Sequence, residues 1–145
     1  MIDNWDWRIT NIKHPEVFGM CGGRCWYCGV ELDTSPISGA ARVSPVHNAY
    51  VVDHANPRAS GGKSEISNYL PACWSCNSSK GGRTVEQFRI SLAWRRAEVK
   101  PMAAEHIWWL SQNGIDVLAL LPKIEFWGEV QWDNVRNERV IGGAS

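Results

Sequence analysis

The sequence has no long apolar run. Nothing in its 145 residues approaches the ~20 consecutive apolar residues that a membrane span needs. It has no net charge either, since 15 Lys and Arg balance 15 Asp and Glu. A uniformly basic surface, of the kind that grips a polyanion everywhere, is thereby excluded. The opening stretch, Met1-Ile2-Asp3-Asn4-Trp5-Asp6-Trp7, lacks the basic and apolar regions of a signal peptide, so a cytoplasmic location is expected. There is no internal repeat and no low-complexity tract. What is left is a chain of ordinary composition, 44% hydrophobic and 21% charged, sized for one domain with a modest core.

Cysteine is where the sequence becomes specific. There are five, an odd number. Four fall into Cys-x2-Cys pairs, Cys25 with Cys28 and Cys73 with Cys76, which in a reducing compartment read as metal ligands rather than disulfides. Soft thiolates in a set of four select Zn2+ and leave no coordination position for a substrate, so the expected zinc is structural. Cys21 stands outside the spacing and is expected to be a buried or free thiol.

The stretch between the pairs carries the other signals. Tyr50-Val51-Val52 is aromatic and β-branched and predicts a strand ending at Asp53-His54. Asn56-Pro57 and Gly61-Gly62 demand a loop. Ile66 to Pro71 can return as a second strand, followed by Cys73-Trp74-Ser75-Cys76-Asn77 and Lys80. Thr84-x-x-Gln87 fits a capping box opening a helix that turns Phe88 and Leu92 inward. Pro101 opens another helix, with Met102, His106, Trp109 and Leu110 on one side and Gly114 at its C-cap. Segments 115–121 and 123–127 fit either strand or short helix.

At the N-terminus, Trp5, Trp7 and Ile9 alternate, which suggests a short strand or extended arm, and His14-Pro15 is expected to break any helix. Residues 33–48, with Pro36, Gly39 and Pro45, read as an inserted polar loop. His14 and His47 read as surface residues and His106 as structural. The tail, 141–145, is expected to be disordered. Nine tryptophans is many; most are expected in the core, Trp26 and Trp74 as walls of the metal knuckle, and one or two exposed to stack on unpaired bases.

Charge is unevenly spread. Lys80, Arg83, Arg89, Arg95, Arg96 and Lys100 face only Glu86 and Glu98 over residues 80–100, a net of +4, whereas the chain from Pro101 onward carries −3. A local basic patch can track phosphates on a neutral protein, although a solvated helix face gives the same pattern.

The ordered set Cys25-x2-Cys28, Asp53-His54, Asn68, Cys73-x2-Cys76-Asn77 and Lys80, with Gly61-Gly62 between the second and third pieces, resembles the HNH endonucleases, or ββα-metal nucleases. The resemblance covers roughly 22–88, with Asn77 where the third motif letter is often His. It implies an α+β fold: a ββα-metal core pinned by a structural zinc, with additional C-terminal helices. One domain spans 1–145, with an N-terminal arm at 1–20, the core at about 22–88 and a helical extension at 89–138.

The implied function is hydrolysis of DNA phosphodiester bonds. Such a reaction needs an activated water and stabilisation of added negative charge. By the resemblance, His54 is the general base, for which an imidazole near neutrality is suited. Asn68 would fix the loop and orient His54. Asp53 and Asn77 would hold a catalytic Mg2+ or Mn2+, hard cations that take oxygen ligands and keep waters. Lys80, Arg58 and Arg83 are candidate phosphate contacts. The alternative is a non-cleaving, zinc-stabilised nucleic-acid-binding module. Such a relic is free to lose any of Asp53, His54, Asn68 or Asn77, and none is missing. A bare zinc ribbon leaves the Asp53-His54 pair unexplained. A homodimer is one route to double-strand cutting, although no dimer motif is visible.

Overall fold

A computed structural model of the chain describes residues 13–34 and 47–131. The expected arm at Trp5 to Ile9, the loop around Pro36, Gly39 and Pro45, and the tail 141–145 lie outside the described residues. The chain divides into two compact units, one of residues 1–82 with 125–145 and one of 83–124. The first unit runs to Gly82 and takes in a segment 43 residues further on, from Glu125.

A two-stranded antiparallel hairpin centres the first unit. Strand β1 is Tyr50–His54 and strand β2 is Tyr69–Cys73, with Tyr50 opposite Cys73, Val52 opposite Pro71 and His54 opposite Tyr69. Because side chains alternate, His54, Tyr50 and Val52 share one face with Tyr69 and Pro71. Asp53 and Val51 lie on the other with Leu70 and Ala72. The second strand begins later than the sequence suggested, since Ile66–Asn68 winds into a 3-10 turn first.

Helix α1, Pro15–Met20, packs on β2, and helix α2, Trp74–Lys80, packs on both strands. The expectation that His14-Pro15 forbids a helix is overturned. Pro15 starts α1 instead, because the first helical position has no N–H to satisfy and a ring-fixed φ suits it. His14 precedes it in the left-handed region, φ 52°. Phe18 then meets Tyr50 edge-on at 5.3 Å, and Val17 is fully buried.

The C-terminal part of the first unit closes over the cysteine knuckle. Phe126 is buried and sits 4.9 Å from the Tyr27 ring and 5.4 Å from Trp26. Residues 127–131 are helical, and the amides of Trp127 and Gly128 donate to the carbonyls of Tyr27 and Trp26 at 3.1 and 2.7 Å. Side-chain room here is nil: a Cβ on Gly29 would lie 2.4 Å from the Trp127 ring, and one on Gly128 would lie 2.1 Å from Trp26. Gly29 also has φ 77°, so both its conformation and its neighbour require glycine.

The second unit is helical. Helix α3, Val85–Ala97, opens with the expected capping box, Thr84 accepting from the Gln87 amide and Gln87 from that of Thr84, and buries Phe88, Ala93 and Trp94. Arg89 pairs with Glu86 and donates to the Ile124 carbonyl at 2.7 Å. Helix α4 is Ala104–Gln112, three residues beyond Pro101, and Gly114 follows its C-cap Asn113. Helix α5, Val117–Leu120, is capped by Asp116. No described helix is long and apolar enough to cross a membrane.

The expectation that most tryptophans are core fails among the six described. Trp94 alone is buried, while Trp108 and Trp109 are 64% and 59% exposed and Trp74 is 39% exposed. No residue of α4 is buried, so both rings stand on an exposed helix.

Candidate active site and zinc knuckle

The first Cys-x2-Cys lies on a tight turn. The Cys25 amide donates to the Val30 carbonyl and the Gly29 amide to the Cys25 carbonyl, both at 2.9 Å. This directs both sulfurs back toward the end of β2. Cys73 ends that strand and is also the N-cap of α2, its sulfur accepting from the Cys76 amide at 3.3 Å. One helical turn later Cys76 faces the same point.

The four sulfurs of Cys25, Cys28, Cys73 and Cys76 lie within 4.8 Å of one another, with Cys28 and Cys73 at 3.9 Å. A tetrahedral Zn2+ with Zn–S of about 2.3 Å places its thiolates about 3.8 Å apart, so the donor set fits a structural zinc. The electrostatics point the same way. Hydrogen bonds from Cys28 and Cys76 hold the Cys25 thiol down at about 2, and sharing with Cys25 pushes Cys28 up to about 11 and Cys76 well above the usual thiol range. Thiols packed this closely cannot all ionise without a cation among them. Cys21 stays outside the cluster; burial, helped by the charge on Cys25, raises its thiol to about 11.

Beyond the knuckle, β1 presents Asp53 and His54 to opposite faces. His54 is half-buried. Its ring stands edge-on to Tyr69 at 5.0 Å, and its Nε2 lies 3.4 Å from the Ser64 hydroxyl. The Tyr69 ring also meets the His14 ring, tilted, at 4.9 Å. His14 therefore joins the surroundings of His54, which no spacing in the sequence revealed.

Asn68 clamps the loop that follows β1. Its side-chain oxygen accepts from the Asn56 amide at 2.9 Å, and its nitrogen donates to the Asn56 and Lys63 carbonyls at 2.9 and 2.8 Å. These side-chain bonds of Asn68 run to the backbone of the loop, at Asn56 and Lys63. Gly62 makes the clamp possible: a Cβ there would lie 1.8 Å from the Asn56 carbonyl oxygen.

Asp53 and Lys80 depart from their expected places. Asp53 is 4% exposed and Lys80 is 0% exposed. The Lys80 ammonium lies 3.2 Å from one Asp53 oxygen and donates to the His54 carbonyl at 2.8 Å. The other Asp53 oxygen accepts from the Tyr27 hydroxyl, whose own proton is held by burial and the neighbouring carboxylate. An interior ammonium cannot reach a phosphate on the surface, so the structure corrects Lys80 as a phosphate contact. Asp53, with both oxygens occupied inside, does not fit a hydrated Mg2+ or Mn2+ as the chain is arranged here. Asn77, in the middle of α2, is half-buried. Arg58 is exposed at the start of the 3-10 turn Arg58–Ser60, and Arg83 is exposed just before the Thr84 cap.

A hairpin and a short helix, with four cysteine sulfurs gathered at the strand–helix junction, make a ββα arrangement beside a cluster that fits zinc. Comparison with known proteins agrees. Residues 25–83 match the family described as HNH endonuclease. The chain is 32% identical over 83 residues, 56% of its length, to the protein named "SPbeta prophage-derived putative HNH endonuclease YoqL" of Bacillus subtilis (strain 168). It spans 33% of that relative's length. No solved structure matches the chain.

Proposed function

We propose that the chain is an endonuclease that hydrolyses DNA phosphodiester bonds, with His54 as the base that takes a proton from the attacking water. The observation that carries this reading is the placement of His54. It ends a strand inside the stretch that matches the HNH endonuclease family, half-open to solvent, with its ring steadied by Tyr69 and Ser64. A held imidazole that still reaches water is what proton abstraction requires. Asn68 supports the same site by fixing the loop that leaves β1. Arg58 and Arg83 are the proposed phosphate contacts, since both guanidinium groups belong to exposed residues.

Dependence on Mg2+ or Mn2+ is proposed from the family resemblance, with Asn77 as an oxygen donor. Asp53, the second expected ligand, is engaged by Lys80 and Tyr27. The zinc knuckle takes no chemical part; it fixes the start of α2 against the turn at Cys25 and Cys28. The acting unit in this reading is a single chain in the cytoplasm; nothing among the described residues supports the homodimer.

The test is incubation of zinc-loaded protein with supercoiled, linear and single-stranded DNA in Mg2+, Mn2+ or EDTA. Cation-dependent strand breaks, lost in His54→Ala, are expected. DNA binding without breaks in any cation would favour the non-cleaving module.

A further inference from the structure

We propose that Lys80 is a positioning residue for His54, acting from inside the fold through the His54 backbone carbonyl. The inference rests on His54 being the base. The Ala55 amide donates to the Asn68 carbonyl at 2.8 Å, so ladder bonds in this hairpin fall on Ala55 and the odd positions before it. The His54 carbonyl consequently points off the open edge of β1, where a third strand would ordinarily satisfy it. No third strand lies there among the described residues. The Lys80 ammonium takes its place at 2.8 Å.

A chain of contacts fixes that ammonium. Lys80 lies in the last turn of α2, where a cation is favoured by the helix dipole. Asp53, the residue before His54, balances its charge at 3.2 Å. Asp53 is held in turn by Tyr27, which lies between Cys25 and Cys28 of the knuckle. The zinc knuckle, the end of α2 and the peptide after His54 thus converge on one buried cation. A surface lysine at the same sequence position would do none of this. The imidazole projects from the opposite face, so Lys80 touches neither substrate nor water there.

The experiment compares wild type with Lys80→Met, both zinc-loaded and full length. Carbonyl-carbon NMR of His54, zinc content, steady-state cleavage and the salt dependence of DNA binding are read together. In Lys80→Met the His54 carbonyl resonance is expected to move, kcat to fall by about a hundredfold, as for a misplaced catalytic group, and KM to hold. The slope of log affinity against log salt should be unchanged. A slope reduced by about 0.9 would mark Lys80 as a phosphate contact and overturn the proposal. So would an unmoved resonance with wild-type kcat in a folded protein. If Lys80→Met loses zinc, Asp53→Asn with Lys80→Met removes both buried charges together. That double variant is expected to keep zinc and show a displaced His54 carbonyl resonance. Loss of zinc there too, or an unshifted resonance, assigns Lys80 a purely structural role and overturns the proposal. Failure of the base reading looks different: His54→Ala would cleave normally while Lys80→Met still moved the resonance.

Discussion

Two adjacent glycines offer a sharp test of how the loop after β1 is built. Gly61 has φ 84° and open space where a Cβ would go, so Gly61→Ala pays only left-handed strain, about 1–2 kcal/mol. Gly62 has the reverse problem. Its Cβ would stand 1.8 Å from the Asn56 oxygen, 2.6 Å from the Asn56 carbonyl carbon and 2.9 Å from the Pro57 oxygen. These are backbone atoms, so the loop itself must open. Opening it breaks the Gly62 amide bond to the Pro57 carbonyl, at 3.0 Å, and strains the three bonds that Asn68 makes to Asn56 and Lys63. At ~0.5–1.5 kcal/mol for each bond, Gly62→Ala should cost about 2–4 kcal/mol. Thermal melts of the two variants measure the difference. Cleavage should fall further in Gly62→Ala, because the displaced segment includes Ser64, which meets the His54 ring. Equal melting temperatures for Gly61→Ala and Gly62→Ala would refute the reasoning.

The remaining predictions concern the catalytic residues and the metal knuckle. His54→Ala should abolish strand cleavage while circular dichroism and zinc content match wild type; full cleavage by the folded variant sinks the base assignment. Asp53→Ala leaves the Lys80 charge buried without its carboxylate and should destabilise by about 3–5 kcal/mol in denaturant titration, with zinc retained. Asn77→Ala should reduce cleavage with little loss of stability, and a wild-type rate would remove it from the reaction. Cys76→Ser should lose zinc and unfold, since structural zinc contributes on the order of 10 kcal/mol against a domain stability of ~5–15 kcal/mol, whereas Cys21→Ser should melt near wild type. Metal analysis showing the opposite pattern would reassign the ligands.

What the sequence made legible followed from local rules. The Cys-x2-Cys spacing, the strand ending at Asp53-His54 and the Thr84 cap each depend on residues within a few positions, and each reappears in the structure. Pro15 was misread because a proline is a breaker within a helix and a starter at its first position, and spacing alone does not say which. Burial of Lys80 was invisible for a longer-range reason. Its partner Asp53 lies 27 positions upstream, and the Tyr27 hydroxyl that holds Asp53 lies 26 further still, so the charge reads as part of the basic run that follows it. The knuckle cover at Phe126 to Gly128 escaped notice because glycine and tryptophan interlock only once two distant turns meet.

That interlock sets an order in which the first unit can be finished. Cys25 and Cys28 are made early, yet Trp26 and Gly29 wait for Gly128 and Trp127 to seat against them. Roughly one hundred residues separate the two, about 5–20 s of synthesis at ~5–20 residues per second. Throughout that interval the turn at Cys25 and Cys28 lacks the Phe126 ring that will later pack on Tyr27 and Trp26. Shortening the chain before Phe126 would make that interval permanent.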